Sequence, residues 1–141
     1  MSKSIAMMAL LSFLYSTQSK ACSCAHATVS ERFDDADYVF SAEIIAAEMV
    51  ADPNAEYDNS YDTFKIVMGP RGEYRNDSTS LEFLYTDISE ASCGVRVTIG
   101  ARHTFMVKDN GRVYLCGSLV ERNEQQAFQQ LLLDRKLIEP Q

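Results

Sequence analysis

The sequence predicts a mainly β domain: five strands closing into an OB-like, Greek-key β-barrel, with one C-terminal helix. Three observations lead there. Five short segments are rich in β-branched and aromatic residues and are separated by turn-forming ones. The hydrophobic period lengthens to that of a helix in the last 20 residues. About 120 residues remain once an N-terminal export signal is set aside, which is one domain's worth of core. No repeat, low-complexity tract or linker divides them.

The export signal occupies residues 1–21 and the domain residues 22–141. Lys3 precedes the apolar run Ile5–Tyr15, and Ser19-Lys20-Ala21 places small residues at −3 and −1 of a cut between Ala21 and Cys22. Eleven apolar residues are too few to span a bilayer, which takes about 20. A lipidated Cys22 is not expected either, because Ser19 stands where a lipobox has an aliphatic residue. The expected location is extracellular, or periplasmic in a bacterium.

In the mature chain, Thr28 to Asp35 has room for one or two helical turns. Asp37 to Ala47 reads as the first strand, and Ala51 to Ser60, with Pro53, Asn54 and Asn59, as a loop. Tyr61 to Met68 alternates as a second strand stopped by Gly69-Pro70 and Gly72. Arg75 to Ser78 turns into a third strand, Leu81 to Tyr85. His103 to Val107 and Val113 to Leu119 are the last two, joined through Asp109-Asn110-Gly111, where Asn-Gly accepts the positive φ of a tight hairpin. Asn123 and Gln126 fit a capping box; Ala127, Phe128, Leu131 and Leu132 share one stripe; Arg135 and Lys136 suit the last turn. That helix is expected to lie across the sheet.

Charge narrows the function. Removing Lys3 and Lys20 leaves 11 basic residues against 20 acidic ones, a net charge of −9. Such a surface repels a phosphate backbone, so no nucleic-acid partner is expected. Catalysis lacks a constellation: neither H-E-x-x-H nor G-x-S-x-G occurs, and His26 and His103 read as a solvated loop residue and a structural strand residue. No cofactor and no enzymatic activity are expected. Asn76-Asp77-Ser78 matches the N-glycosylation pattern.

Cys22, Cys24, Cys93 and Cys116 are an even set in a small exported domain, and read as two disulfides. A Cys22–Cys24 ring would be very strained, which leaves two long-range pairings. Either closes loops worth about 4 kcal/mol each in the chain-entropy model. A thiolate zinc site would need paired knuckles, and Cys93 and Cys116 have none.

One constellation suggests a mechanism. With Cys22 first, its α-amine and its own carbonyl oxygen form a chelating pair. An α-amine has a pKa of about 7.7–8, so a neutral fraction exists near neutrality. Such a pair suits a zinc with open positions, as in a metalloprotease, and disulfides from residues 22 and 24 would hold it rigidly.

At these residues the chain resembles the inhibitory domain of the tissue inhibitors of metalloproteinases, within the netrin-like group. Cys22-Ser23-Cys24-Ala25, followed by His26, is similar to the family's C-[ST]-C start. Phe33 to Val39 resembles its F-C-x-A-D-V-V, and Glu82 to Thr86 with Ser92-Cys93-Gly94-Val95 resembles its strand-loop-C-G-V segment. With Cys116, the likeness covers nearly all of residues 22–120.

The resemblance implies an OB-like barrel and the pairings Cys22–Cys93 and Cys24–Cys116. It implies an inhibitory wedge of Cys22, Ser23, Cys24 and Ala25 with Ser89, Glu90, Ala91, Ser92 and Cys93. Cys22 would ligate the target protease's zinc in trans, with Ser23 in the specificity pocket. The implied partner is therefore a zinc metalloprotease. The sequence departs from the pattern in four places. Asp34 replaces a third half-cystine, the family's disulfide-rich C-terminal domain is missing, one residue is lost between Cys24 and His26, and a nearby proline is replaced. The alternative is a secreted netrin-like binding module that inhibits no protease. A thiol-disulfide enzyme using Cys22 and Cys24 would need a basic neighbour to lower a thiol pKa, and only the terminus supplies one.

Overall fold

The computed structural model describes residues 27–54, 62–89 and 93–140. Its first element, α1 (Val29–Asp35), starts at a capping box. The Thr28 hydroxyl accepts from the Glu31 N–H, and the Glu31 carboxylate accepts from the Thr28 N–H at 2.8 Å. Two N–H groups at the helix start are thereby satisfied. The helix buries Val29 and Phe33.

Four antiparallel strands follow, in the sheet order β3-β2-β1-β4: β1 (Tyr38–Val50), β2 (Thr63–Arg75), β3 (Leu84–Asp87) and β4 (Arg102–Val107). The predicted stop at Gly69-Pro70 is not one. Ala42 pairs with Arg71 and Ile44 with Met68, so Gly69 and Pro70 together face Glu43. That is a β-bulge, and it absorbs a residue without an N–H beside one without a side chain. The third strand begins three residues later than expected, after a 3₁₀ turn (Ser78–Ser80) whose cap is the Asp77 carboxylate.

The predicted fifth strand, Val113 to Leu119, does not form as a strand, although its turn does. Gly111, at φ 66°, donates to the Lys108 carbonyl. Beyond it the chain pairs in pieces: Val113 N–H donates to Tyr85 of β3, while Met106 of β4 donates to Ser118 and Val120 N–H donates to Thr104. Between them Gly117 sits at φ 97°, and Ser118 Oγ takes the Tyr114 N–H. A left-handed residue and a side-chain acceptor interrupt the ladder. The sheet is a curled half-barrel whose open side is crossed by residues 111–120, and the expected regular five-stranded barrel is corrected to this.

Side-chain alternation puts a core on each face of the sheet. Phe40, Ile44, Ile66, Leu84, Phe105 and Val107 fill the inside of the curl. Val39 and Met106 point the other way, against α1 and α2 (Gln125–Asp134). Burying a large apolar side chain contributes about 1.5–3 kcal/mol, so both faces are substantial. The expected capping box of Asn123 and Gln126 does not form: a 3₁₀ turn (Arg122–Glu124) leads in, with its own box in which Glu124 accepts from the Glu121 N–H at 3.0 Å, and Glu124 is then the N-cap of α2. Phe128 and Leu132 are buried and Leu131 partly so, but Ala127 is exposed, because the stripe faces α1 as well as the sheet. Arg135 falls just past the helix as its C-cap and grips both carboxylate oxygens of Asp34. Among the described residues no helix is long and apolar enough to cross a membrane.

Candidate functional site

The expected signal, with its cleavage residue Ala21, and the expected wedge residues Cys22 to Ala25, Glu90, Ala91 and Ser92 lie outside the described residues, as does His26. What the structure describes is the chain that leads to Ser89 and away from Cys93. β3 delivers the chain to Ile88, whose N–H donates to the Asp62 carbonyl at the start of β2. Ser89 then begins the loop, and Gly94 closes it by donating to the Ser89 carbonyl at 3.0 Å. Val95 N–H donates to the buried hydroxyl of Thr86 at 2.9 Å, locking the returning chain onto β3.

Cys93 itself has φ 68°, a left-handed conformation that a non-glycine residue adopts only when its surroundings impose it. Two constraints are visible. Its carbonyl accepts from the Leu115 N–H at 2.8 Å, and its sulfur is in a disulfide. Cys116 is disulfide-bonded as well. Leu115 precedes Cys116 directly, so this one hydrogen bond brings the two half-cystines to the same edge of the half-barrel.

Arg112 fixes the base from below. Its guanidinium pairs with Asp52, at the end of β1, and reaches Asp87 Oδ1 at 3.5 Å. Its side chain is 14% exposed, so these pairs are screened less than surface ones. Arg32 works at the other flank: Nη1 donates to the carbonyls of Gly117 and Leu119 at 3.2 and 3.1 Å, and Nη2 pairs with Glu124 at 2.6 Å. Burial opposes ionisation of Glu124, but hydrogen bonds from Arg32 and the Glu121 N–H prevail and hold its carboxyl below the usual range. The segment carrying Cys116 is thus tied to both helices.

No motif in the sequence announces Arg112, Arg32, Asp52 or Asp87. The one available signal is an arginine placed directly beside a strand-forming run, as in Arg112-Val113. His103 is partly buried in β4, as a structural residue would be, and Asn76 uses its amide to donate to the Asp37 carbonyl at 2.7 Å. Among the described residues no group of three or more His, Cys, Asp and Glu is placed to hold a metal.

Residues 20–135 match the family described as tissue inhibitor of metalloproteinase. The chain belongs to that family. Among its relatives, metalloproteinase inhibitor 2 of Canis lupus familiaris is 27% identical over 106 residues, 71% of this chain and 48% of that protein. Metalloproteinase inhibitor 3 of Xenopus laevis is 26% identical over 124 residues, 82% of this chain and 53% of that one. The human metalloproteinase inhibitor 2 is 26% identical over 87 residues. The chain therefore spans about half the length of the curated relatives it matches. Those named come from animals, which lends nothing to a periplasmic location.

Proposed function

We propose that this protein is a secreted inhibitor of zinc metalloproteases, acting through a mature N-terminus at Cys22 held by Cys22–Cys93 and Cys24–Cys116 disulfides. The observation that carries the reading is the pair of disulfide-bonded half-cystines, Cys93 and Cys116, at one edge of the half-barrel in a chain of this family. Two cysteines separated by one residue, Cys22 and Cys24, match two neighbouring anchors. In this reading the ridge runs from Cys22 to Ala25 and continues in Ser89 to Cys93, on an OB-like barrel.

The chemistry follows from the terminus. The neutral α-amine and carbonyl oxygen of Cys22 occupy the open position of a catalytic zinc and displace the water that serves as nucleophile. Two disulfides fix the terminus before it binds, so little ordering entropy opposes association. Ser23 enters the adjoining specificity pocket.

The test begins with the mature N-terminus, read by mass spectrometry, and continues with inhibition constants against a panel of zinc metalloproteases. Retaining Ala21 turns the Cys22 amine into an amide and is expected to weaken inhibition by orders of magnitude with folding intact. Ser23→Gly is expected to weaken it by about 1–3 kcal/mol, the scale of one interface side chain. Equal inhibition by the Ala21-extended form would refute zinc chelation. No inhibition by correctly processed protein would leave the netrin-like binding module as the better account.

A further inference from the structure

Where α1 and α2 leave their face of the sheet uncovered, a groove of about 720 Å³ runs from Val95 to the start of α2. Among the described residues Arg96, Arg102, His103 and Arg122 line it, with Glu121 as the one carboxylate. This inverts the sign of a chain whose net charge is −7. Away from the groove Arg32 pairs with Glu124, Arg75 and Arg135 with Asp34, and Arg112 with Asp52, while Arg71 donates to Ser78 and to the Leu81 carbonyl. Arg102 likewise rests on neutral acceptors, donating from Nη2 to Ser41 Oγ at 3.2 Å and to the Ser41 carbonyl at 3.4 Å. The Nε2 atom of His103 is buried without a hydrogen-bond partner, an arrangement that native structures rarely leave uncompensated. The remaining walls are largely apolar, from Leu115, Leu119 and Val120.

An anionic head and an apolar body are what such a lining accepts, since guanidinium groups bind oxyanions by charge-assisted hydrogen bonds while aliphatic walls bury hydrocarbon. A polyanion fits poorly, because the basic cluster is short and the rest of the surface repels it. We propose that this groove binds an organic anion, an apolar body bearing one carboxylate or sulfonate head, with Arg102 and Arg122 taking the head. Binding here depends on Arg102, Arg122 and the apolar walls, and it stands or falls separately from inhibition.

The experiment titrates the mature, disulfide-intact chain with 1-anilinonaphthalene-8-sulfonate, following fluorescence and competing with sodium sulfate. Saturable one-to-one binding is expected. Arg102→Gln with Arg122→Gln should weaken it about tenfold or more, the range for lost hydrogen bonds to a charged group. Lys108→Gln with Lys136→Gln, which removes the same charge from exposed positions elsewhere, should change it less than twofold. Equal losses in the two double variants, or no saturable binding, would overturn the proposal. So would sulfate alone binding as tightly as the aryl sulfonate, because the apolar walls would then contribute nothing. If the first double variant melts lower than its parent, the exposed Arg122→Gln alone decides: a drop of about threefold supports the site and no drop refutes it.

Discussion

A β-carbon on Gly94 would lie 1.9 Å from the carbonyl oxygen of Asp87 and 2.6 Å from its carbonyl carbon. The end of β3 and the returning chain touch backbone to backbone there. Only a residue without a side chain permits the approach, which is a packing requirement and not one of positive φ. Gly94→Ala is therefore expected to destabilise the domain by more than about 2 kcal/mol, as steric replacements at close backbone contacts do. Denaturant unfolding measures the loss. Inhibition should fall further than the lost stability alone accounts for, because Cys93 moves with the loop.

Arg112 joins the end of β1 to the end of β3, and its two carboxylates lose their counter-charge together if it is removed. Arg112→Met keeps the length of the side chain but not the charge, leaving Asp52 and Asp87 facing one another. A loss of about 2 kcal/mol is expected, below the 3–5 typical of fully buried pairs because both carboxylates keep some solvent contact. Asp52→Asn in the same chain should recover part of it, measured as a double-mutant cycle.

Acid is expected to unfold the domain. Glu31 is held below the ordinary 4.5 by hydrogen bonds from Thr28, and Glu124 by those from Arg32 and the Glu121 N–H despite the opposing effect of burial. Asp34 is held below 3.8 by Arg135, and Asp77 by the Thr79 N–H. Each carboxyl binds its proton more readily in the unfolded chain. Their stabilisation is complete above the unfolded values, about pH 5 and higher, and is lost as pH falls through the lower folded values. Thermal melts between pH 6 and 2.5 should show a plateau, then a steep decline. Added salt should flatten the Asp34 contribution, since that pair with Arg135 is exposed.

Reduction should remove several kcal/mol, because native disulfides in small domains are typically worth about 2–5 kcal/mol and the proposed pairings would each close a long loop in the unfolded chain. Peptide mapping without reduction is expected to recover Cys22 with Cys93 and Cys24 with Cys116. Recovery of Cys22 with Cys116 would overturn the pairing.

The local signals in the sequence are read correctly where they act locally. The segment from Thr28 to Asp35 has room for one or two helical turns and forms them; the run from Asp37 to Ala47 reads as a strand and makes one. Errors come where a distant partner decides. β2 continues through Gly69-Pro70 because β1 supplies the register that turns the interruption into a bulge. Val113, Tyr114 and Leu115 have strand propensity, yet the left-handed Gly117 and the competing Ser118 hydroxyl break their ladder. The site divides in the same way. Cysteine number and spacing point to Cys93 and Cys116, whereas the Arg112 clamp joins residues 60 positions apart and has no local signature.

The grip of Arg135 on Asp34 spans 101 positions of sequence, and the core beneath it joins α1 to α2. A ribosome delivering this chain has therefore released nearly all of it before Phe33 can meet Phe128. Until then the early segments have no mate on that face of the sheet. A stop codon ahead of Gln125 would deprive Val39 and Met106 of their cover and turn a folded product into one that chaperones and proteases intercept.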